Sequence, residues 1–313
     1  MTRNRKNNAM LLFGRNSVLE RLKANPKTVK NVLVQEGFDD TVMMDIIRSH
    51  KIPFKHVSEK ELLKLKHTAR LQGIVAEVGE FKYLSFDQLQ DKFNEKRLSF
   101  ILLDGLTDPH NLGAIIRITA CFGGFAVVIP ERDSCEVNET VLNIASGGEN
   151  YVPVCRVNNL SNALIHAKKS GYWIAGTVVE GGEDLNKISF PFPLCLVLGS
   201  EGKGIHHGVQ KQLELWVTLP MRGAALSFNV AMASAIFNKI DIPLKSSEPA
   251  PKRPFIGLFG VQKSYKTAVT TEMEKFFRRN KFKAYCPPES AEHEDIRADV
   301  ADKPIIYQAK HLN

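Results

Sequence analysis

The sequence lacks the features that mark membrane and secreted proteins. Its apolar runs are short, and the one around Ile101–Leu103 is far from the roughly 20 residues that a bilayer-spanning helix needs. Only a few apolar residues follow the basic N-terminal segment before Arg15, so we expect no secretory signal. These absences predict a cytoplasmic protein that makes no membrane contact.

Cysteine is scarce, and its positions are uninformative for metal binding. The 5 cysteines lie far apart in the sequence, and none has the C-x-x-C spacing of a zinc or redox motif. We therefore expect no metal site and no disulfide framework, with the thiols reduced as in most cytosolic proteins. The cysteines are Cys121, Cys135, Cys155, Cys195 and Cys286.

Positive charge, by contrast, is present and unevenly distributed. The net charge is +8, and residues 1–80 carry 15 Lys and Arg against 9 Asp and Glu. Residues 244–313 carry 13 against 9, whereas residues 98–243 carry 10 against 13. A basic region joined to a mildly acidic one suits a polyanion-binding module attached to a catalytic module. Ordinary solubilisation by surface lysine accounts for the charge equally well.

Residues 11–80 alternate strand-like and helix-like segments, which predicts a small α/β domain with a parallel or mixed sheet. Asn16 or Ser17 is the expected cap of its first helix. Ser58 followed by Glu61 has capping-box spacing for a helix through Leu65. The predicted strands are 11–13, 32–35, 54–57 and 73–78, and the other helices are 16–23 and 42–49.

Residues 81–97 are predicted to form a short helix that acts as a linker, and the pattern changes from Leu98 onward. Ser99–Asp104 is a continuous apolar strand, typical of a strand buried on both faces of a parallel sheet. Strands and helices then alternate, so residues 98–243 are predicted to be a parallel-sheet α/β domain. Its other strands are expected at 126–129, 152–154, 173–176, 194–198 and 215–218, and its helices at 112–122, 139–145, 160–169, 209–213 and 229–240.

A Pro- and Ser-rich stretch over 243–254 separates a C-terminal extension, residues 244–313. A strand–helix–strand pattern is predicted there, over 255–259, 267–279 and 283–286. Gly257–Ser264 has the outline of a phosphate-binding loop, but Gln262 stands where its second glycine belongs. A strand followed by a turn is the better interpretation, and we assign the extension no activity.

Three segments of the 98–243 domain hold its unusual residues, and each follows an apolar strand. In the first, Pro109 stops any helix, Asn111 can cap the next one, and Arg117 follows on that helix. The second is a glycine-rich turn over 196–205 with a single acid, Glu201. The third is a loop that leads, near residue 229, into a helix of small residues.

Taken singly, these signals are weak. Glycines after a strand usually mark a tight turn, and an Asn at a helix start is usually a cap. Arg117 lies on an otherwise apolar helix, where a buried charge needs a partner such as Glu201. The small-residue helix can approach another backbone closely, which indicates tight packing or a subunit interface.

In combination the three segments resemble the three motifs of SpoU-type (TrmH-like) ribose 2′-O-methyltransferases of the SPOUT superfamily. The order and spacing match over residues 98–240. Residues 11–80 resemble the L30e-like substrate-binding domain of the family's large-subunit rRNA guanosine 2′-O-methyltransferases, through 12–22 and 72–78. The motif residues are Asn111, Arg117, Gly199, Glu201, Gly202, Gly204, Pro220, Met221, Gly223, Ser227, Phe228, Asn229 and Val230.

The resemblance implies a parallel α/β sheet with a C-terminal trefoil knot, preceded by a small L30e-like α/β domain, in a homodimer. It implies S-adenosylmethionine as the cofactor, flanked by Gly199, Leu219 and Phe228. The implied reaction is methyl transfer to a ribose 2′-hydroxyl of structured RNA, above all a guanosine of large-subunit rRNA. The implied catalytic residues are Arg117, Asn111, Glu201, Ser227 and Asn229.

Within that resemblance, the roles of Arg117 and of the proton acceptor stay open. Arginine stays protonated in proteins, so Arg117 suits a phosphate clamp or an oxyanion stabiliser better than a base. A substrate phosphate or Glu201 would then accept the proton. A tRNA substrate is an alternative, and so is an RNA-binding or ribosome-assembly factor without chemistry. Four polar residues of the motifs are present, Asn111 and Asn229 among them, which argues against a factor without chemistry.

Overall fold

The structure is a computed structural model that describes residues 9–66, 68–93, 98–221, 223, 227–238, 256–258 and 306–308. The chain divides into two compact units, Met1–Pro243 and Leu244–Asn313. In the first unit, two sheets follow one another along the chain. None of the helices in the described ranges is long and apolar enough to cross a membrane.

The N-terminal sheet has four strands and is mixed, in the order β1-β4-β2-β3. Strand β4 is antiparallel to β1 and β2, and β2 is parallel to β3. The predicted capping box is confirmed, since Ser58 and Glu61 bond to each other's backbone amides. The elements are β1 (Met10–Phe13), α1 (Arg15–Ala24), β2 (Val29–Gln35), α2 (Thr41–Ser49), β3 (Phe54–Val57), α3 (Glu59–Leu65) and β4 (Ile74–Val78).

The expected cap of the first helix was wrong. Helix α1 begins at Arg15 after Gly14, and no side chain caps it. Gly14 has a φ of 86°, a left-handed conformation that glycine adopts without strain. The helix therefore begins one residue earlier than the predicted range of 16–23, and Asn16 and Ser17 lie inside it.

The predicted linker contains α4 (Phe86–Phe93), which packs onto the second sheet. Phe86 and Leu89 are buried in one cluster with Phe100, and the rings of Phe86 and Phe100 meet edge to face. Leu84 pairs with Cys155 at the edge of the same sheet. The predicted linker thus packs against the second sheet.

The second sheet has seven strands, and all of its neighbouring strands are parallel. The order is β7-β6-β5-β10-β8-β11-β9. Its strands are β5 (Ser99–Asp104), β6 (Phe125–Pro130), β7 (Val154–Val157), β8 (Trp173–Val178), β9 (Glu183–Asp184), β10 (Leu194–Gly199) and β11 (Leu215–Thr218). Its helices are α5 (Pro109–Phe122), α6 (Glu139–Ala145), α7 (Leu160–Lys169), α8 (His207–Gln210) and α9 (Val230–Phe237).

Strand β5 is buried along its whole length, as its continuous apolar run predicts. Ile101 and Leu103 belong to the hydrophobic cluster that includes α5, α6 and α9, whereas Phe100 and Leu102 belong to the cluster with α7. The chain runs from β5 to β6 and β7 on one side, then to β8 on the other, and β10 inserts between β5 and β8. A change of direction of this kind opens a crevice at the carboxyl ends of parallel strands.

Several boundaries differ from the predictions. Helix α5 begins at Pro109, which occupies the first helical position, where its missing amide hydrogen costs nothing. Asp108 caps it through the amide of His110, so the expectation that Asn111 caps this helix was wrong. Strand β7 begins at Val154 because Pro153 has no amide hydrogen to donate. Helix α8 begins earlier than its predicted range, and β9 was not predicted.

In the second unit, β12 (Ile256–Leu258) and β13 (Ile306–Gln308) form a parallel pair. Strand β12 falls inside the predicted strand over 255–259. The predicted helix over 267–279 and the strand over 283–286 lie outside the described residues, as does most of Gly257–Ser264.

Candidate active site

The glycine-rich segment forms a tight hairpin at the carboxyl end of β10. The amide of Ser200 donates to the carbonyl of Gly204 at 3.1 Å, and the amide of Gly204 donates to Ser200 at 2.9 Å. A Cβ on Gly199 would lie 2.4 Å from the carbonyl carbon of Gly204, so the two arms come this close only because residue 199 is glycine. The hairpin places Glu201 next to its tip.

Glu201 joins the three sequence motifs through hydrogen bonds. Its Oε1 accepts from Asn111 Nδ2 at 3.2 Å, from Asn229 Nδ2 at 2.8 Å and from the amide of Val230 at 3.4 Å. Asn229 Nδ2 also lies 2.9 Å from Asn111 Oδ1, to which it donates. Asn111 is in the first turn of α5, and Asn229 caps α9 through the amide of Ala231. Asn111 and Asn229 lie 90 and 28 positions from Glu201 in the sequence, and the fold brings all three into one polar cluster.

Arg117 stands apart from this cluster. Its side chain is exposed on α5 and forms no hydrogen bond or ion pair with another described residue. The interpretation that Arg117 pairs with a buried acid such as Glu201 was therefore wrong, because the guanidinium is exposed and the described contacts of Glu201 are with Asn111, Asn229 and the amide of Val230. An unpaired guanidinium on the surface is available to an anionic ligand.

An apolar cavity of about 240 Å³ lies beside the cluster. The three residues predicted to flank the cofactor, Gly199, Leu219 and Phe228, all line it, together with Glu201 and Ser227. Apolar side chains and the backbone of the hairpin form its walls, a composition typical of a site for a small organic ligand. The other residues lining it include Thr177, Val178, Leu198, Ile205, Val230, Ala233 and Phe237.

Asp104 and His206 form a contact at this site that the sequence did not indicate. Asp104, buried at the end of β5, accepts from the amide of His206 at 2.6 Å, and its other oxygen lies 2.9 Å from His206 Nδ1. The pair fixes the chain directly after Gly204 and Ile205, which line the cavity. Asp104 ends an apolar strand, and that position was its only signal in the sequence.

A second depression, here named the basic groove, lies between the N-terminal sheet and helices α5 and α6. It has a volume of about 390 Å³. Lys66 forms an ion pair with Glu139 at 2.9 Å, whereas the exposed side chains of Arg70 and His110 have no polar partner among the described residues. The residues that line it are Phe13, Gly14, Asn16, Ser17, Lys66, Thr68, Arg70, Gln72, His110, Thr140, Asn143, Ile144 and Ser146.

Sequence comparison places the chain among known proteins. The profile of the SpoU rRNA Methylase family matches residues 99–238, and the profile described as RNA 2′-O ribose methyltransferase substrate binding matches residues 11–84. A Bacillus subtilis protein assigned to the TrmH family of tRNA/rRNA methyltransferases is 33% identical over 229 residues, which are 72% of this chain and 92% of the relative. The chain belongs to the SpoU (TrmH) family of RNA methyltransferases.

Solved structures confirm the fold of this SpoU-family enzyme. The SpoU methyltransferase AviRb of Streptomyces viridochromogenes, crystallised with AdoMet, aligns with a TM-score of 0.61 at 20% identity, over 74% of this chain and 88% of AviRb. The AdoMet-bound rRNA methyltransferase of Sinorhizobium meliloti aligns with a TM-score of 0.61 at 19% identity, over 74% of this chain and 85% of the other. The predicted α/β architecture with a preceding small domain is thereby confirmed.

Proposed function

We propose that the enzyme transfers a methyl group from S-adenosylmethionine to a ribose 2′-hydroxyl of structured RNA. The observation that carries the proposal is the polar cluster of Asn111, Glu201 and Asn229 at the rim of an apolar cavity lined by Gly199 and Leu219. Relatives of the same fold are crystallised with AdoMet, and the N-terminal match is to a domain described as binding the substrate of ribose methyltransferases.

The residues of the cavity fit S-adenosylmethionine. Leu219 and Phe228 offer apolar surface to an adenine ring, and the backbone of the 199–204 hairpin offers donors and acceptors at its edge. Bound there, the cofactor supplies an electrophilic methyl carbon. The absence of a side chain at Gly199 lets both arms of the hairpin line one wall.

The polar residues then orient and deprotonate the hydroxyl. Three donors hold Oε1 of Glu201, so the carboxylate is fixed and Oε2 is the oxygen that faces a substrate hydroxyl as a general base. Arg117 holds a substrate phosphate or the developing oxyanion, and Ser227 contacts the substrate at the cavity rim. Orientation of the ribose oxygen toward the methyl carbon contributes several kcal/mol of the order seen for aligned intramolecular reactions.

We infer that the substrate is rRNA, with a guanosine of the large-subunit rRNA as the target, in the cytoplasm. The basic groove supports an RNA substrate, because the exposed side chains of Arg70 and His110 line it without a polar partner among the described residues, and His110 directly precedes Asn111. The family that matches residues 99–238 is described as the SpoU rRNA Methylase family, which supports rRNA over tRNA. The curated relatives are described as tRNA/rRNA methyltransferases.

The test is methyl transfer with labelled S-adenosylmethionine to unmodified large-subunit rRNA and to unmodified tRNA, followed by digestion and mass spectrometry of the nucleosides. We expect 2′-O-methylguanosine from the rRNA. A methylated base would contradict the ribose target, and methylation of tRNA alone would contradict the substrate. RNA binding without affinity for S-adenosylmethionine would favour the non-catalytic factor.

The basic groove gives a separate prediction. Arg70→Ala should weaken RNA binding. The slope of the logarithm of the RNA-binding constant against the logarithm of the salt concentration should become shallower by roughly 0.7 to 0.9, as expected for one lost phosphate contact. Affinity for S-adenosylmethionine should not change, because Arg70 does not line the cavity. Lys30→Ala is the matched control, since Lys30 is exposed in the same N-terminal sheet but lies outside the groove. Equal RNA affinities of the two variants would contradict an RNA path through the groove.

We propose that the enzyme is a homodimer through α9. The small residues Ala231 and Ser234 are buried within the unit, so they explain close packing inside one subunit rather than an interface. The outward face of the helix instead carries Met232 and Ile236, which are 64% and 39% exposed, and Phe228 at 45% lies just before it. Contiguous exposed apolar side chains support a subunit interface.

A further inference from the structure

A turn over residues 147–151 contains two glycines and lies between helix α1, which packs on the N-terminal sheet, and helix α5. Helix α5 packs on the seven-stranded second sheet, here named the catalytic sheet. A Cβ on Gly147 would lie 2.4 Å from Cβ of Glu20 in α1. A Cβ on Gly148 would lie 3.0 Å from Cα of Arg117 in α5 and 3.2 Å from Cβ of Ala120. Because these two consecutive residues have no side chains, α1 and α5 can pack against opposite sides of the same turn.

The same turn carries a buried ion pair to α1. Arg21 Nη2 donates to Glu149 Oε1 at 2.9 Å, and the two side chains are 8% and 0% exposed. Burial raises the pKa of Glu149, and the guanidinium of Arg21 opposes that shift. Asn25 donates to Asn150 at 3.0 Å, and Tyr151 donates to Glu20 beside the pair. The N-terminal sheet and the catalytic sheet are therefore joined by a specific polar contact.

A buried ion pair contributes little net stability compared with apolar residues of similar volume, because desolvation offsets the attraction. Such a pair can instead select one packing arrangement, since any displacement leaves a buried charge without its partner. Here the arrangement that it selects sets the backbone of the turn directly against Arg117. Gly148 lies between the turn that carries Glu149 and the backbone of Arg117, and neither Arg21 nor Glu149 lines the cofactor cavity.

We propose that Arg21 and Glu149 are positioning residues that make the orientation of Arg117 depend on docking of the N-terminal sheet. The proposal rests on the proposed function of Arg117 as the group that holds the substrate phosphate or oxyanion. When the N-terminal sheet is docked on the catalytic sheet, α1 presses the 147–151 turn against α5. When the pair is lost, the turn moves away and the segment of α5 around Arg117 is less restrained.

The test compares Glu149→Gln and Arg21→Lys with the unaltered full-length enzyme. Glu149→Gln keeps the size and one acceptor but removes the charge, and Arg21→Lys keeps the charge but loses the planar fork. We expect Glu149→Gln to lower the single-turnover rate of methyl transfer about tenfold or more, with affinities for S-adenosylmethionine and RNA within about twofold of the unaltered enzyme. Arg21→Lys should retain an intermediate rate. Arg48→Ala, which removes an exposed ion pair in α2, is the control and should have no effect.

Amide hydrogen exchange supplies a readout that does not depend on activity. In Glu149→Gln we expect faster exchange at residues 116–120 of α5, and no change at β5. If the unaltered enzyme transfers no methyl group, the proposed function has failed, but the exchange experiment still decides whether the pair restrains α5. Unchanged exchange at 116–120 would overturn the proposal.

A doubly neutral variant, Arg21→Met with Glu149→Leu, separates positioning from simple support. It replaces both charges with apolar side chains and should melt at or above the temperature of the unaltered enzyme. We expect its methyl-transfer rate to stay low, because packing without the polar contact no longer fixes the turn. A full rate in this variant would show that the pair merely fills space, and would overturn the proposal.

Discussion

At the scale of single residues, Arg117 gives the sharpest prediction. Its side chain is exposed and makes no polar contact with other described residues, so Arg117→Ala should change the free energy of unfolding by no more than about 0.5 kcal/mol. Methyl transfer should nevertheless be abolished, while S-adenosylmethionine still binds in the cavity, which Arg117 does not line. A thermal melt, a binding titration and an activity assay on the same preparation test this.

Arg117→Lys distinguishes a planar guanidinium from a point charge. We expect it to fail almost as badly as Arg117→Ala, because an ammonium on a flexible stem cannot form the two parallel bonds of the fork. Arg132→Ala serves as a control, since Arg132 is also exposed and follows β6 away from the cavity. Near-normal methylation by Arg117→Ala would remove the residue from the mechanism, as would an early melt that accounts for the lost activity.

The sequence predicted these residues unevenly. The order and spacing of the three motifs resemble those of SpoU-type methyltransferases, and that resemblance selected Asn111, Glu201 and Asn229, which the structure brings together. The same spacing could not show that the asparagines bind Glu201, because an isolated Asn at a helix start reads as a cap. The contact of Asp104 with His206 joins residues 102 positions apart, so no local pattern could indicate it.

At the scale of elements, types were more predictable than boundaries. The apolar run of β5 and the capping box of α3 were read correctly, because each depends on a few neighbouring residues. The start of α5 was misplaced because Pro109 can either end a helix or occupy its first position, and the choice depends on Asp108. The two-residue strand β9 has too few residues for any period to appear.

The hairpin after β10 offers a matched pair of glycine substitutions. Gly199→Ala would put a Cβ 2.4 Å from the carbonyl carbon of Gly204 and force the cavity wall to move. We expect affinity for S-adenosylmethionine to fall by roughly tenfold or more, since overpacking costs about 1–3 kcal/mol. In Gly202→Ala the new Cβ meets nothing within 4 Å, so this variant should bind like the unaltered enzyme.

Isothermal titration of both glycine variants with S-adenosylmethionine measures the difference directly. Their melting temperatures should be compared in parallel, so that a folding defect is not mistaken for a binding defect. Equal affinities would mean that the hairpin does not form a wall of the cofactor site. The assignment of the cavity would then have to be abandoned, whatever the activity toward RNA.

At the scale of the whole molecule, the order of strands was the least predictable feature. Local patterns predicted a parallel sheet, but not that β10 would insert between β5 and β8, because that choice depends on packing between distant segments. The docking of α1 through Arg21 and Glu149 was hidden for the same reason, since 128 residues separate the partners. The sequence suggested two modules with a linker between them, whereas the structure shows a polar contact buried between those modules.

Subunit assembly gives the last prediction at this scale. Met232, the most exposed apolar side chain of α9, lies at the centre of the proposed interface, so Met232→Asp would bury a charge without a partner in a dimer. We expect the unaltered enzyme to be a dimer at micromolar concentration by light scattering, and Met232→Asp to be a monomer with an unchanged N-terminal domain. Val42→Asp is the matched control, because Val42 is 58% exposed on α2 and lies outside the interface. A monomeric unaltered enzyme, or a Met232→Asp variant that remains dimeric, would exclude α9 as the contact.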